Sequence, residues 1–253
     1  MKKILDLAYD STDVMQKLDV YLPDGEVNTV FVYFHGGGIE EGDKSEFAPV
    51  GEYLTKFNIA FISANYRLYP KYQYPDFLYD AAKAVAYAHG YARDTLGCDR
   101  LYVGGSSAGG YMTMMLCFDR KYLDSVGIDN SVISGYLHDS GQPTAHFNVL
   151  KYKGIDPRRV IIDETAPLYY LGIEEKYPPM RFTVSDNDII NRYEQTMLTL
   201  TTLSHFGYTG YDHVVLHGAH YEHCRKIGDD GESVFGKIIY DFIAKLEKNA
   251  NNI

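Results

Sequence analysis

Cysteines are few in this sequence, and long apolar runs are missing from it. The three cysteines are Cys98, Cys117 and Cys224, an odd number without CxxC spacing, so a disulfide framework is not expected. No stretch approaches the roughly 20 apolar residues of a transmembrane helix. Acidic residues interrupt the apolar residues near the N-terminus, so we expect no signal peptide. We therefore expect a soluble cytoplasmic protein with reduced thiols.

Positive charge is also in short supply. The 253 residues include 24 Lys and Arg against 34 Asp and Glu, which gives a formal net charge of −10. An acidic surface argues against binding to nucleic acid or to anionic membranes, and it makes strongly anionic substrates less favoured. We expect a small molecule as the partner, and the sequence leaves a homo-oligomer open.

Short apolar runs alternate with helical patterns along the chain. The apolar runs predict strands at 30–34, 59–64, 101–103, 180–185 and 214–216. Apolar residues at helical spacing predict helices at 76–95, 111–118, 192–206 and 234–246. This alternation predicts one α/β domain over residues 1–253, with a mainly parallel sheet covered by helices on both faces. Residues 132–134 (Val-Ile-Ser) could form a further short strand, and residues at about 134–177 are expected to form an insertion over one end of the sheet.

The segment Gly105-Ser106-Ser107-Ala108-Gly109 fits the pattern G-x-S-x-G, with Ser107 at its centre. In that pattern a tight strand-to-helix turn exposes the serine hydroxyl at a helix N-terminus, and small flanking residues let the backbones approach. Ser106 does not fit, because Ala108 stands where its closing glycine would be. A predicted strand precedes the segment and an apolar helix follows it, which favours a nucleophile over a simple glycine-rich turn.

Three glycines follow His35 at the end of the predicted strand 30–34. The backbone N–H groups of Gly37 and Gly38 could point at a developing oxyanion together with that of Ala108. A glycine-rich connection and a phosphate cradle are the alternatives. A phosphate loop would require a lysine and a Ser or Thr after the glycines, whereas residues 39–41 are Ile-Glu-Glu, which argues against a nucleotide.

Together these motifs resemble the α/β-hydrolase superfamily, and in particular its branch of esterases and lipases with an HGGG loop, related to hormone-sensitive lipase and to small acyl-sugar or feruloyl esterases. The matching pieces are residues 35–38, residues 65–68 (Asn-Tyr-Arg-Leu) and residues 105–109. The order of strands and helices from about 28 to 246 agrees as well. The resemblance implies an acid after the next-to-last strand and a histidine after the last one.

Two candidates for the acid, Asp186 and Asp188, follow the predicted strand 180–185. Members of the family often show G-x-x-D there, and this sequence keeps that spacing with Ser185 in place of the glycine. The resemblance therefore favours Asp188. The other aspartate is expected to cap the following helix.

Four histidines crowd the end of the last predicted strand: His213, His217, His220 and His223. The base must lie beyond the strand, with Nδ1–H on the acid and Nε2 facing the Ser107 hydroxyl. His213 lies at or before the strand start and His217 within its end, which disfavours both. Residues 218–220 (Gly-Ala-His) resemble the family's glycine-then-histidine pattern, which favours His220 and leaves His223 as the competitor.

The same histidines, with Cys224, also raise the hypothesis of a metal site. They straddle a predicted strand and turn, and no HExxH pattern is present, so we expect no metal. A role for His35 in positioning the glycine loop through hydrogen bonds is favoured over metal binding. No cofactor is expected.

The combined interpretation is a serine carboxylesterase. Ser107 would form an acyl-enzyme, with His220 as the base and Asp188 orienting it. A short insertion leaves little room for a lid, which favours small acyl or aryl esters, such as acetyl or feruloyl esters, over long-chain lipids. An amidase, arylformamidase or peptidase stays open, because a triad does not choose the leaving group. A non-catalytic binding protein on the same fold is less favoured.

Overall fold

The computed structural model describes residues 1–250, with side chains to residue 248, and its centre is one eight-stranded sheet. The strand order is β1-β2-β4-β3-β5-β6-β7-β8. From β3 to β8 every neighbouring pair is parallel, while β2 runs antiparallel to both β1 and β4. The strands are β1 (Lys2–Ala8), β2 (Lys17–Leu22), β3 (Thr29–Phe34), β4 (Ile59–Ala64), β5 (Leu101–Ser106), β6 (Ile133–Asp139), β7 (Met180–Asn187) and β8 (Tyr211–Ala219). The predicted α/β fold class is confirmed.

Helices cover both faces of this sheet. They are α1 (Ala48–Leu54), α2 (Asp76–Tyr91), α3 (Ala108–Phe118), α4 (Lys121–Asp124), α5 (Phe147–Tyr152), α6 (Pro167–Tyr170), α7 (Arg192–His205), α8 (Glu222–Arg225) and α9 (Val234–Ala250). The predicted helix 76–95 divides into α2 and a π-helical turn over Ala92–Leu96. Within residues 1–250, no helix combines the length and the apolar character needed to cross a bilayer.

The central strands are apolar on both faces because each face packs against helices. Along β3, Val30, Val32 and Phe34 face one apolar cluster, which includes residues of α2 and α3. The alternate residues Phe31 and Tyr33 face a second cluster, which includes residues of α1 and α9. All six residues of β3 are buried, as are those of β4 and β5.

The sequence patterns did not predict the first two strands. β1 lies at the edge of the sheet and is mostly exposed, so its sequence carries no continuous apolar run. β2 is buried at its centre, but an aspartate, Asp19, interrupts its apolar residues. That carboxylate is buried against the ammonium group of Lys44, at 2.9 Å, so tertiary pairing stabilises a residue type that disfavours strands.

The start of the expected insertion at 134 is corrected by the structure. Residues 134–139 belong to β6, which lies between β5 and β7 in the middle of the sheet. Only the first residues of β6 form a short apolar run, and the polar residues His138 and Asp139 at its end do not fit the pattern of a buried apolar strand. The segment outside the sheet runs from 140 to 179 and carries the short helices α5 and α6.

Candidate active site

Ser107 lies between β5 and α3 in a backbone conformation that non-glycine residues rarely adopt, with φ 54° and ψ −111°. Its N–H donates to the carbonyl oxygen of Asp139 at 2.8 Å, which ties the turn to the end of β6. A Cβ atom at Gly109 would lie 2.0 Å from the carbonyl oxygen of Phe34, so only glycine permits this approach of α3 to β3. The turn presents the Ser107 hydroxyl at the carboxyl edge of the sheet, where ligands of such sheets bind.

The structure brings Ser107, His220 and Asp188 into one hydrogen-bonded chain. His220 Nε2 lies 2.9 Å from Ser107 Oγ, and His220 Nδ1 lies 2.5 Å from Asp188 Oδ1. The Asp188 side chain is 1% exposed and that of His220 is 21% exposed, so the acid is shielded while the imidazole borders the solvent. In this arrangement the imidazole can accept the serine proton while its other nitrogen donates to the carboxylate.

The Asp188 carboxylate is held by its neighbours. Ser140 Oγ donates to Oδ2 at 3.0 Å, and the N–H of Ile189 donates to Oδ1 at 2.8 Å. Burial would raise the pKa of Asp188, but the hydrogen bond and the charge of His220 outweigh burial, and the pKa lies below its usual value. The buried guanidinium of Arg192 adds to this lowering. Asp188 is therefore an anion that can stabilise a charged imidazole.

Asp186 and His217 form a separate and exposed pair. Asp186 Oδ2 lies 2.7 Å from His217 Nδ1, and its Oδ1 accepts the N–H of Gly218 at 3.1 Å. The His217 side chain is 97% exposed. Asp186 was expected to cap the following helix, but it contacts the end of β8 instead. His213, expected at or before the strand start, lies within β8.

His223 contacts a different carboxylate. Its Nε2 lies 2.8 Å from Oδ1 of the buried Asp139, beneath the turn that carries Ser107. The pKa of Asp139 is lowered to about 2, because the charge and the hydrogen bond of His223 outweigh the effect of burial. Ligand atoms of Asp139, His223 and Cys224 lie within 4.8 Å of one another, a spacing that could accept a cation. The Asp139 carboxylate already accepts hydrogen bonds from His223 and Cys224, so its oxygen atoms are satisfied by these side chains.

The glycine loop after β3 adopts conformations that require glycine, with φ 103° at Gly37 and 65° at Gly38. His35 supports the loop, because its Nδ1 lies 2.7 Å from the carbonyl oxygen of Gly36. Tyr66 OH donates to the carbonyl oxygen of His35 at 2.8 Å, and the two rings stack at 4.5 Å. Burial lowers the pKa of His35, which keeps the imidazole neutral.

The Asn-Tyr-Arg-Leu segment after β4 thus supports this loop from below. Arg67 donates three hydrogen bonds to the fully buried Asp80 of α2, from its backbone N–H at 2.9 Å, from Nε at 2.7 Å and from Nη2 at 2.8 Å. This pair fixes the chain next to Tyr66 and hence the position of His35. Ala108 is the first residue of α3, and the N–H groups of the first helical turn have no acceptor within their own helix.

Ser107 and His220 open into a cleft of about 550 Å³. Its walls include residues that the sequence patterns did not single out as functional: Phe147, Asn148, Ile189, Tyr221 and Arg225. They come from the insertion, from the turn after β7, and from α8 and the residue before it, so only the tertiary structure brings them together. Polar residues directly after a predicted strand were the one available signal, and the same signal would have found Asp139 if β6 had been predicted to its full length.

A parallel sheet in this order, with a strained serine turn after β5, an acid after β7 and a histidine after β8, defines an α/β hydrolase. The chain belongs to the BD-FAE family of α/β-hydrolase esterases, because the profile of that family matches residues 18–150, more than half of the chain. The family resemblance expected from the motifs is thereby confirmed.

Several known proteins are similar to this chain. The carboxylic ester hydrolase LipN of Mycobacterium tuberculosis is 35% identical over 101 residues, which are 38% of this chain. The match covers 27% of LipN, so this chain spans about a quarter of that relative. The esterase Est2 of Thermogutta terrifontis has a TM-score of 0.76 at 18% identity, covering 97% of this chain and 92% of Est2. Esterase B of Lactobacillus rhamnosis has a TM-score of 0.78 at 17% identity, covering 100% and 90%. At such identities the structural likeness concerns the fold.

Proposed function

We propose that this protein hydrolyses carboxylic esters, with Ser107 as nucleophile, His220 as general base and Asp188 as the acid that orients His220. The observation that carries this proposal is the unbroken hydrogen-bond chain from Ser107 Oγ through the imidazole to the Asp188 carboxylate. The similarity to the carboxylic ester hydrolase LipN also supports ester hydrolysis.

The reaction proceeds in two steps. His220 Nε2 takes the Ser107 proton as the serine oxygen attacks the ester carbonyl, and the N–H groups of Gly37, Gly38 and Ala108 stabilise the oxyanion. The C–O bond to the alcohol then breaks, and His220 returns the proton to the leaving alcohol. Water attacks the acyl-enzyme in the same way and releases the carboxylic acid and free Ser107.

The cleft favours small acyl or aryl esters. Its volume of about 550 Å³ lies in the range of sites for small molecules. Phe147 and Ile189 give the cleft apolar surface, whereas Glu40, Glu41 and Arg225 add charged groups to its lining. We propose a short acyl or aryl group joined to a small polar alcohol. Est2 has been solved with propionate and with butyrate bound, which agrees with short acyl groups.

A panel of substrates tests the proposal. We expect hydrolysis of p-nitrophenyl acetate and butyrate and of hydroxycinnamoyl esters, with kcat/KM falling for acyl chains beyond about eight carbons, because the short segment 140–179 leaves little room for a lid that would cover a longer chain. Matched p-nitroanilides measure the amidase alternative. A rate that rises with longer chains, or anilides hydrolysed faster than the esters, would contradict the proposed substrate class.

The neighbouring serines provide a matched pair of variants. Ser107→Ala should lower kcat by a factor of about 10³ to 10⁶, since it removes the nucleophile. Ser106→Ala removes the acceptor of the Tyr33 hydroxyl, at 2.8 Å, and of the Cys224 thiol, at 3.3 Å, and should retain at least about a tenth of the activity. Equal loss in both variants would argue against Ser107 as the nucleophile.

A further inference from the structure

A cluster of buried polar side chains lies directly beneath Ser107, and the proposed chemistry does not use it. We call it the Asp139 cluster: Ser106, Asp139, Thr183, His223 and Cys224. Asp139 Oδ1 accepts from His223 Nε2 at 2.8 Å and from the Thr183 hydroxyl. Cys224 Sγ lies 3.1 Å from Asp139 Oδ2 and 3.3 Å from Ser106 Oγ. All five side chains are less than 10% exposed.

Asp139 contacts the two chain segments that carry the reacting side chains, through different atoms. Its carbonyl oxygen accepts the N–H of Ser107, while its carboxylate binds His223, three residues after His220. Between the two histidines, Tyr221 has a φ of 64°, a backbone conformation that is rare for a side chain of this size. Contacts made by residue 223 therefore fix the path of the chain at residue 220.

Contact between Asp139 and His223 favours the charged form of each side chain, because it lowers the pKa of Asp139 and raises that of His223. Burial alone would lower the pKa of His223, but the Asp139 carboxylate raises it above its usual value. Because removing two charges from water offsets much of their attraction, such a pair adds little net stability compared with apolar residues. Its directional hydrogen bonds define one geometry, which is what a catalytic loop requires.

We propose that Asp139 and His223 are positioning residues for the reaction. They hold the chain that carries His220 against the end of β6, so that His220 Nε2 meets the Ser107 hydroxyl. This inference rests on the proposed function. Neither residue touches the substrate in this role, and His223 acts through its hydrogen bond to Asp139 alone.

Two substitutions at the same position separate positioning from packing. Gln in His223→Gln can still donate a hydrogen bond to Asp139, whereas Leu in His223→Leu fills the space without a donor. We expect His223→Leu to lower kcat on p-nitrophenyl acetate about 10- to 100-fold with KM within about threefold, because small displacements of a catalytic group slow the chemical step. His223→Gln should retain at least a third of kcat, a rescue that packing alone would not produce. If Leu matches the wild type, or if both variants lose kcat equally, the proposal is overturned.

Asp139→Asn gives a second measurement in case His223→Leu does not fold. It keeps the shape of the side chain and removes its charge, and we expect kcat to fall about tenfold with KM unchanged. Wild-type kcat in this variant would overturn the proposal. The control is His217→Gln and His217→Leu, an exposed histidine on β8, where both substitutions should leave kcat unchanged.

The rate of Ser107 labelling by a fluorophosphonate distinguishes failure of this inference from failure of the proposed function. If the wild type is labelled but does not hydrolyse esters, the proposed function fails. The labelling rates of the His223 variants then still report on positioning: slower labelling in Leu than in Gln supports it, and equal rates overturn it.

Discussion

Asp188 accepts a hydrogen bond from His220 at 2.5 Å, and its second carboxylate oxygen accepts one from Ser140 at 3.0 Å. The acid is therefore oriented by Ser140, the residue that follows β6, while it orients the imidazole. Asp186, two residues earlier, points outward to His217. Two neighbouring aspartates thus occupy different environments at the end of one strand.

Asp188→Asn should lower kcat by about 10⁴-fold, because an amide in this position favours the wrong imidazole tautomer and cannot stabilise the imidazolium. Asp186→Asn, the matched control, changes an exposed pair and should stay within about twofold of the wild type. Steady-state kinetics on p-nitrophenyl acetate measure both. A larger loss of kcat in Asp186→Asn than in Asp188→Asn would show that Asp186 is the catalytic acid.

Glycine substitutions test the close approach of α3 to β3. Gly109→Ala should lower the free energy of unfolding by about 3 kcal/mol, because the added Cβ would lie 2.0 Å from the Phe34 carbonyl oxygen and the backbone must shift. Gly90→Ala should raise it by about 0.5–1 kcal/mol, since no atom lies within 4 Å of the added carbon in α2. Urea unfolding measures both, and equal effects would contradict this account of the turn.

Because Arg67 and Asp80 fix the segment that packs under the glycine loop, substitution of Arg67 should strongly lower the free energy of unfolding. Arg67→Met leaves the fully buried Asp80 without its charged partner and should cost about 3–5 kcal/mol of unfolding free energy. Arg158→Met removes an exposed partner of Asp156 and should cost less than about 1 kcal/mol. Chemical denaturation compares the two variants. A loss below about 1 kcal/mol at Arg67 would argue against a structural role for the segment after β4.

The lowered pKa of Asp139 predicts that the free energy of unfolding falls at acidic pH. Its pKa of about 2 in the folded protein lies below the ordinary value of 3.8, so its contribution is complete above about pH 4 and disappears as the pH falls through 2. Between these values the wild type should lose about 2 kcal/mol more unfolding free energy than Asp139→Asn. Denaturation at pH 4, 3 and 2 measures this difference. Parallel curves for the two proteins would show that the carboxylate is not stabilised by folding.

Much of the fold followed from local patterns in the sequence. The strands β3 and β4 are apolar on both faces because helices cover them, and such strands leave continuous apolar runs. β5 begins with a short apolar run, and β7 alternates apolar residues with buried polar ones. β1 left no such signal, since it is an exposed edge. β6 is almost wholly buried, but it left only a short apolar signal at its start because it ends in the polar His138 and Asp139. Apolar patterns therefore miss exposed edge strands and buried strands that carry polar side chains.

Local motifs in the sequence predicted one part of the candidate site, and tertiary contacts define the rest. Ser107 and the glycine loop are marked by local motifs, because a strained turn restricts its neighbours to small residues. The histidines could not be separated as firmly, since His220 and His223 both follow β8. What separates them is tertiary, namely which carboxylate each one meets: Asp188 or Asp139. The cleft residues Phe147 and Ile189 come from segments far apart in the chain.

Covalent labelling tests the central claim most directly. The protein is incubated with a fluorophosphonate, digested and mapped by mass spectrometry, in parallel with Ser107→Ala and His220→Ala. We expect one adduct per chain, located on Ser107, absent in Ser107→Ala and formed at least about a thousandfold more slowly in His220→Ala. An adduct on another residue, or labelling of His220→Ala at the wild-type rate, would contradict the proposed nucleophile and base.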